Sequence, residues 1–180
     1  MSATVSPATP AIRRVVFHPG PPAPERFTAH ATERAQQYRL WLPPGKTLFQ
    51  TIVDTFNELG HDHATIQMFD GDLSEAYFQM APPDPSGKLI VAYGPPTFLP
   101  GGARIVMSNA DLGKKADGQP ILHCHASLLD VNGKLYGGHI PTDLCVIGEG
   151  GVFVWALVPD DGGFVVRSDD ETLFPLLSPT

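Results

Sequence analysis

The chain has 180 residues, 42% of them apolar, which suits one soluble domain with a sizeable core. Its 12 basic and 19 acidic side chains give a net charge of −7, excluding a nucleic-acid surface spread over the whole molecule. The two cysteines, Cys124 and Cys145, form no disulfide framework, and no stretch approaches the roughly 20 apolar residues of a membrane span, so a cytoplasmic protein without a membrane partner is expected.

In chain order, residues 1–37 read as a flexible, Pro-rich leader and an extended arm. Residues 1–10 are small and polar and are expected to be disordered. Val15-Val16-Phe17 runs into His18-Pro19-Gly20-Pro21-Pro22, where proline removes the donors that a helix or central strand needs. The domain proper is expected over 38–167, opening with a strand at 38–42 that Pro43-Pro44-Gly45 stops. A helix follows: Thr47 is the N-cap, Gln50 completes a capping box, Gly60 terminates, and Leu48, Ile52, Val53, Phe56 and Leu59 recur on one side. Beyond it strands are predicted at 64–69, 73–80, 88–93 and 98–108, then in a hairpin, then at 144–147 and 152–158. Turn residues punctuate them at Asp70-Gly71, 82–87, Gly94-Pro95-Pro96, 109–120 and 160–163. The pattern predicts an α+β fold, a curved, mostly antiparallel sheet of about seven strands with one main helix. Residues 168–180 read as a tail that packs only through Leu173, Phe174 and Leu176.

The hairpin at 121–142 carries three of the seven histidines. His123 and His125 are two apart, so on a strand both leave the same face. Asp130-Val131-Asn132-Gly133 is the signature of a type I turn closed by a glycine bulge, a three-residue loop. In that register Asp130 faces Lys134 and His125 lies opposite His139. A two-residue loop would invert every side chain of one strand and send His139 to the other face. The turn chemistry therefore gathers His123, His125 and His139 on one face and leaves Leu122, Cys124, Ala126 and Leu128 to pack on the other. Three neutral imidazoles with an open position suit a divalent metal, zinc ahead of nickel, iron or copper. The alternative is a hydrated patch of surface histidines.

Other candidates are His61-Asp62-His63, which repeats the spacing just after the helix in a loop without a third ligand, and His18 and His30, expected to be solvated. Asp143 and Glu149 follow the hairpin as candidates to orient a ligand or to act as a general base, or else as exposed turn carboxylates. Cys124 alternates away from the histidines and is expected in the core. Gly137 and Gly138 either clear space above the site or mark close sheet packing. The basic pairs Arg13-Arg14 and Lys114-Lys115 read as solvated loop charges.

Leu122-His123-Cys124-His125-Ala126-Ser127-Leu128, the Asn132-Gly133 turn, and Gly137-Gly138-His139 followed by Leu144-Cys145-Val146 resemble the plants-and-prokaryotes conserved (PPC) domain. The resemblance covers roughly 38–158. It implies a compact α+β domain that assembles as a trimer and that accompanies AT-hooks in plant DNA-binding regulators. It also implies structural kinship to acetolactate decarboxylase, where an H-x-H pair and a later histidine hold zinc. The sequence lacks the Arg-Gly-Arg-Pro core of an AT-hook, and Gly94-Pro95-Pro96-Thr97-Phe98-Leu99 stands where plant members carry a Gly-Arg-Phe-Glu-Ile-Leu stretch tied to partner binding. The expectation is a homotrimeric module with a three-histidine metal or small-ligand site that meets DNA only weakly or through other proteins. The alternative is a metal-dependent lyase or hydrolase acting on a small oxygenated substrate.

Overall fold

A computed structural model describes residues 17–24 and 30–180; residues 1–10 and the Arg13-Arg14 and Val15-Val16 pairs lie outside them. The described residues form, in chain order, β1 (Ala35–Leu42), α1 (Leu48–Glu58), β2 (Ala64–Phe78), β3 (Thr97–Leu99), β4 (Ala103–Lys114), β5 (Pro120–Asp130), β6 (Leu135–His139), β7 (Val146–Ile147), β8 (Val152–Pro159), β9 (Phe164–Asp169) and β10 (Phe174–Pro179).

The helix is capped at both ends by local chemistry. Thr47 is extended and its hydroxyl accepts from Gln50 N at 3.1 Å. Gln50 itself donates to Asp54 Oδ1 at 2.6 Å, so only half of the expected capping box is made. At the other end His61 N donates to Phe56 O (2.8 Å) and Gly60 N to Asn57 O (3.0 Å), the paired bonds of a Schellman stop around Gly60, whose φ is 81°. Thr47→Ala is expected to cost about 1 kcal/mol by orphaning the Gln50 amide. A lower urea midpoint with unchanged slope would register it.

Strand order is β1-β8-β2-β4-β5-β6, with β3 and β7 also on β2, β9 on β4 and β10 on β9. The sheet is mixed, because β9 joins β4 in parallel at Lys114 and Val165 while the other ladders run antiparallel. Ten strands in a mixed sheet thus replace the curved, mostly antiparallel sheet of about seven. α+β remains the class.

The differences have local causes. Asp70-Gly71 is a kink inside one continuous strand: Asp70 takes a φ of 49°, yet Phe69 and Gly71 both stay paired with β4, at Met107 and Ile105. Residues 88–93 form no strand; Pro82, Pro83 and Pro85 remove donors from the facing limb, and only the bridge Pro83–Val91 survives. Pro100-Gly101-Gly102 divides the predicted 98–108 strand into β3 and β4. In 109–120 the polar residues are one face of a strand, and the turn is confined to Lys115–Gln119, closed by Lys115 N to Gln119 O at 2.8 Å. The C-terminal segment is a hairpin, with Pro175 and Pro179 accommodated on β10, which among the described residues pairs only with β9.

Alternation then sorts the sheet into two faces. On one, Ile66, Met68, Leu112, Leu122, Cys124, Leu128, Val154 and Ala156 are buried in a single cluster with Leu48, Ile52 and Phe56 of α1. The helix is tied to this side through Leu48 N to Cys145 O (2.8 Å) and Phe49 N to Thr142 O (3.0 Å). The other face follows the registers in cross-strand rows. One row reads Gln37, Leu157, Thr65, Asp111, His123; the next Arg39, Trp155, Gln67, Asn109, His125, His139; the third Trp41, Phe153, Phe69, Met107, Ser127, Gly137. Imidazoles therefore occupy one end of this face and aromatic side chains the other.

Candidate metal centre

The turn that places His139 is built as its residues dictate. Gly133 N donates to Asp130 O (3.0 Å), Asp130 N to Lys134 O (3.0 Å), and the Asp130 carboxylate accepts from Asn132 N (2.9 Å) and Lys134 N (2.8 Å). Gly133 supplies the left-handed position at φ 77°. These bonds hold the Asp130 carboxyl below the usual carboxylate range, the Lys134 amide being the largest cause. The resulting register sets His125 opposite His139, Ala126 opposite Gly138 and Leu128 opposite Tyr136, as the three-residue loop requires.

His123, His125 and His139 consequently converge. Their ring centroids are 4.9, 5.1 and 5.6 Å apart, and one nitrogen from each lies within 4.8 Å of the others. His123 Nε2 and His125 Nε2 are 3.1 Å apart. Burial, then the neighbouring His123 and His125, push the His139 imidazole down to about 4. Burial and His125 also hold His123 below its ordinary value, while Asp111 pulls the other way. Both rings are thus kept neutral at neutral pH, the form that offers a lone pair to a metal. His139 Nδ1 is buried without a hydrogen-bond partner among the described residues, an atom left with an unmet demand.

The shift of His139 carries a pH dependence. The folded group titrates near 4 against an ordinary 6.5, so between these values the unfolded chain binds a proton that the folded chain refuses. This contribution makes the metal-free protein lose stability as pH falls from about 6.5 towards about 4. Urea midpoints across that window, compared with His139→Asn, should show the slope in the native protein and a flatter profile in the variant.

The other sequence candidates separate from the cluster. His61 Nε2 meets the Tyr38 hydroxyl at 2.7 Å, and His63 spans Pro159 O and the Asp62 carboxylate, each at 3.0 Å. Their spacing resembles a ligand pair, but each ring is tied to different structural partners. His18 pairs with Glu171, and His30 is exposed. Asp143 and Glu149 are exposed turn residues; Asp143 acts on His139 only through its charge. Cys124 is fully buried on the core face, its thiol pushed up to about 12 by burial first, which removes it as a ligand. Lys114 is ion-paired with Asp62 at 2.5 Å.

Two neighbours of the cluster escaped the sequence reading. Asp111 on β4 lies directly opposite His123 and accepts from the Thr65 hydroxyl at 2.9 Å. The alternation Asn109, Asp111 against Ala110, Leu112 was the available signal, masked by its resemblance to a polar loop. Tyr93 stands with its ring 4.7 Å from that of His139, delivered by a loop with no periodic signature.

Comparison with solved structures identifies the same fold. A metal-containing protein from Archaeoglobus fulgidus superposes with a TM-score of 0.68 at 22% identity, over 84% of this chain and 99% of that one. A plant- and prokaryote-conserved (PPC) protein from Pyrococcus horikoshii gives 0.61 at 19% identity, over 82% and 93%. A protein from Ralstonia eutropha described as a candidate DNA-binding protein gives 0.61 at 19%, over 78% and 90%. No curated protein sequence matches the chain. The profile of the Plants and Prokaryotes Conserved (PCC) domain matches residues 29–158, well over half the sequence and the whole of the histidine hairpin, and the chain belongs to that family.

Proposed function

We propose that this protein is a homotrimeric module of the PCC family that holds one divalent metal, zinc ahead of nickel, iron or copper, on His123, His125 and His139. A coordination position stays open for a small ligand, and DNA is met only weakly or through other proteins. The observation that carries this reading is the convergence of three nitrogen donors on one point of the open face. An all-imidazole set fits zinc, which when bound would supply a Lewis acid for an oxygen-bearing ligand. A structural neighbour that is itself metal-containing adds support. Trp41, Phe153 and Trp155 are 50%, 52% and 41% exposed and line a groove of about 550 Å³ on the open face, an apolar surface suited to burial against further copies.

Neighbours described as candidate DNA-binding proteins keep nucleic acid in view. Affinity for DNA rests on neutralised phosphates, however, and a chain of net charge −7 without an AT-hook offers few free cations. Metal analysis of the purified protein, light scattering and a mobility-shift titration across salt test the three parts. Expected are one metal per chain, a particle three times 19.4 kDa, and no tight DNA complex at physiological salt. Metal-free protein after reconstitution, a monomer at micromolar concentration, or tight binding with a steep salt slope would each reject its part.

Asp111 favours a second reading, a metal-dependent lyase or hydrolase for a small oxygenated substrate. Asp111 lies opposite His123 across the ladder and its charge acts on that ring, which supports its reading as a base. Turnover by the zinc-loaded protein that disappears in Asp111→Asn would establish it.

A further inference from the structure

The family profile ends at residue 158, and beyond it the chain continues into the hairpin β9–β10. This hairpin approaches the histidine cluster by way of Tyr93. Tyr93 packs its ring against His139 with centroids 4.7 Å apart and planes tilted by 47°, and it also meets Phe174, the first residue of β10, at 6.1 Å. The segment carrying Tyr93 is pinned on both sides. Gly94 N donates to Met80 O (2.9 Å), Gln79 Nε2 donates to Gly94 O (2.9 Å), and Ile90 N donates to Thr172 O (3.2 Å) in the turn between β9 and β10. Gln79 and His139 exchange both backbone bonds, at 2.7 and 3.0 Å, so the root of this loop is the backbone of the third histidine itself.

The β9–β10 turn is fastened in its own right. Asp169 accepts from the amide and hydroxyl of Thr172, at 2.7 and 2.5 Å. Glu171 is buried and gathers the N-terminal arm: its carboxylate meets His18 Nδ1 (2.5 Å) and Ala23 N (2.7 Å), and its carbonyl accepts from Gly20 N (2.8 Å). Leu173, between this turn and Phe174, takes a φ of 53°, a left-handed conformation unfavourable for a leucine. Such a residue persists only where its surroundings over-determine it, which points to a requirement at this spot.

We propose that Tyr93 is a positioning residue of the histidine cluster, its ring holding the His139 imidazole beside His123 and His125, and that the β9–β10 hairpin keeps it there as a clasp. The need for such a residue is chemical. A ligating imidazole is normally oriented by a partner on its second nitrogen, and no hydrogen bond reaches His139 Nδ1 among the described residues. The tilted ring contact with Tyr93 takes the place of that bond as the orienting contact. Phe174→Ala removes the support behind Tyr93 and is expected to loosen the same ring to a smaller degree.

The proposal rests on the three-histidine metal site, and its test separates the two. In metal-free full-length protein, imidazole resonances from ¹⁵N-labelled histidine are compared for wild type, Tyr93→Phe, Tyr93→Ala and Phe174→Ala. The expected result is displaced and broadened His139 signals in Tyr93→Ala, a milder change in Phe174→Ala, wild-type signals in Tyr93→Phe, and His61 and His63 unmoved throughout. Titration with zinc alone should then give affinity about 10-fold weaker for Tyr93→Ala, within the range set by lost orienting contacts, with Phe restoring it. An unaltered His139 ring in Tyr93→Ala overturns the proposal whether or not zinc binds. Absence of zinc binding by wild type, with the His139 signals still responding to Tyr93, overturns the metal reading and leaves the positioning role standing.

Discussion

Replacing His139 by alanine is expected to weaken divalent-metal binding by at least about 100-fold, beyond the roughly 10- to 100-fold that loss of an orienting partner costs. The three donors come from two strands, and a zinc site with an open position uses three protein ligands, so removing one leaves a pair that must fill its shell with water. His123→Ala and His125→Ala should behave alike, because each contributes one nitrogen to the same cluster. His61→Ala supplies the contrast: its ring is engaged with Tyr38, so metal affinity should stay at the wild-type value. Titration with zinc under competition from a chelator reads all four. Since a buried nitrogen of His139 has no hydrogen-bond partner among the described residues, its removal should not lower the stability of the metal-free protein at neutral pH. Undiminished zinc binding in His139→Ala would sink the site.

What could be read beforehand was whatever local chemistry decides. The Asp130 to Gly133 turn specifies its own loop length, and loop length specifies register, so the meeting of His125 with His139 was legible from four residues. The helix was legible for the same reason: Thr47 and Gly60 bracket an apolar stripe whose members Leu48, Ile52 and Phe56 are fully buried. The misreadings arise where one residue type serves two purposes. Asp70-Gly71 has turn composition, but pairing with β4 on both sides carries the strand through it, with Asp70 ion-paired to Arg104 across the kink. Asn109 and Asp111 look like loop residues because the face they occupy is open, and openness is a property of the assembled sheet. Tyr93 and the β9–β10 hairpin depend on contacts more than 70 residues apart in sequence, Tyr93 to Phe174 and Ile90 to Thr172, for which no periodicity exists. The convergence of the three histidines was therefore visible and what surrounds them was not.

The glycine pair beside the cluster should separate sharply under mutation. Neither Gly137 nor Gly138 has a positive φ, so backbone freedom is not why glycine stands there. At Gly137 a Cβ would meet Ala126 O at 3.4 Å, an ordinary contact, and Gly137→Ala should shift stability by less than about 1 kcal/mol. At Gly138 the same atom would lie 2.5 Å from Gln79 O, a backbone oxygen that cannot rotate away. That oxygen accepts from His139 N at 3.0 Å, so relieving the clash means pulling β6 off the end of β2. Gly138→Val is accordingly expected to destabilise by about 3 kcal/mol or more, at the upper end of overpacking costs. It should weaken zinc binding in parallel, because the bond that breaks is the one that seats both His139 and the loop carrying Tyr93. Thermal denaturation of the metal-free variants, followed by zinc titration of any that remain folded, measures both effects. A Gly138→Val protein with native stability and native zinc affinity would show that the approach of Gln79 is not what positions the third histidine.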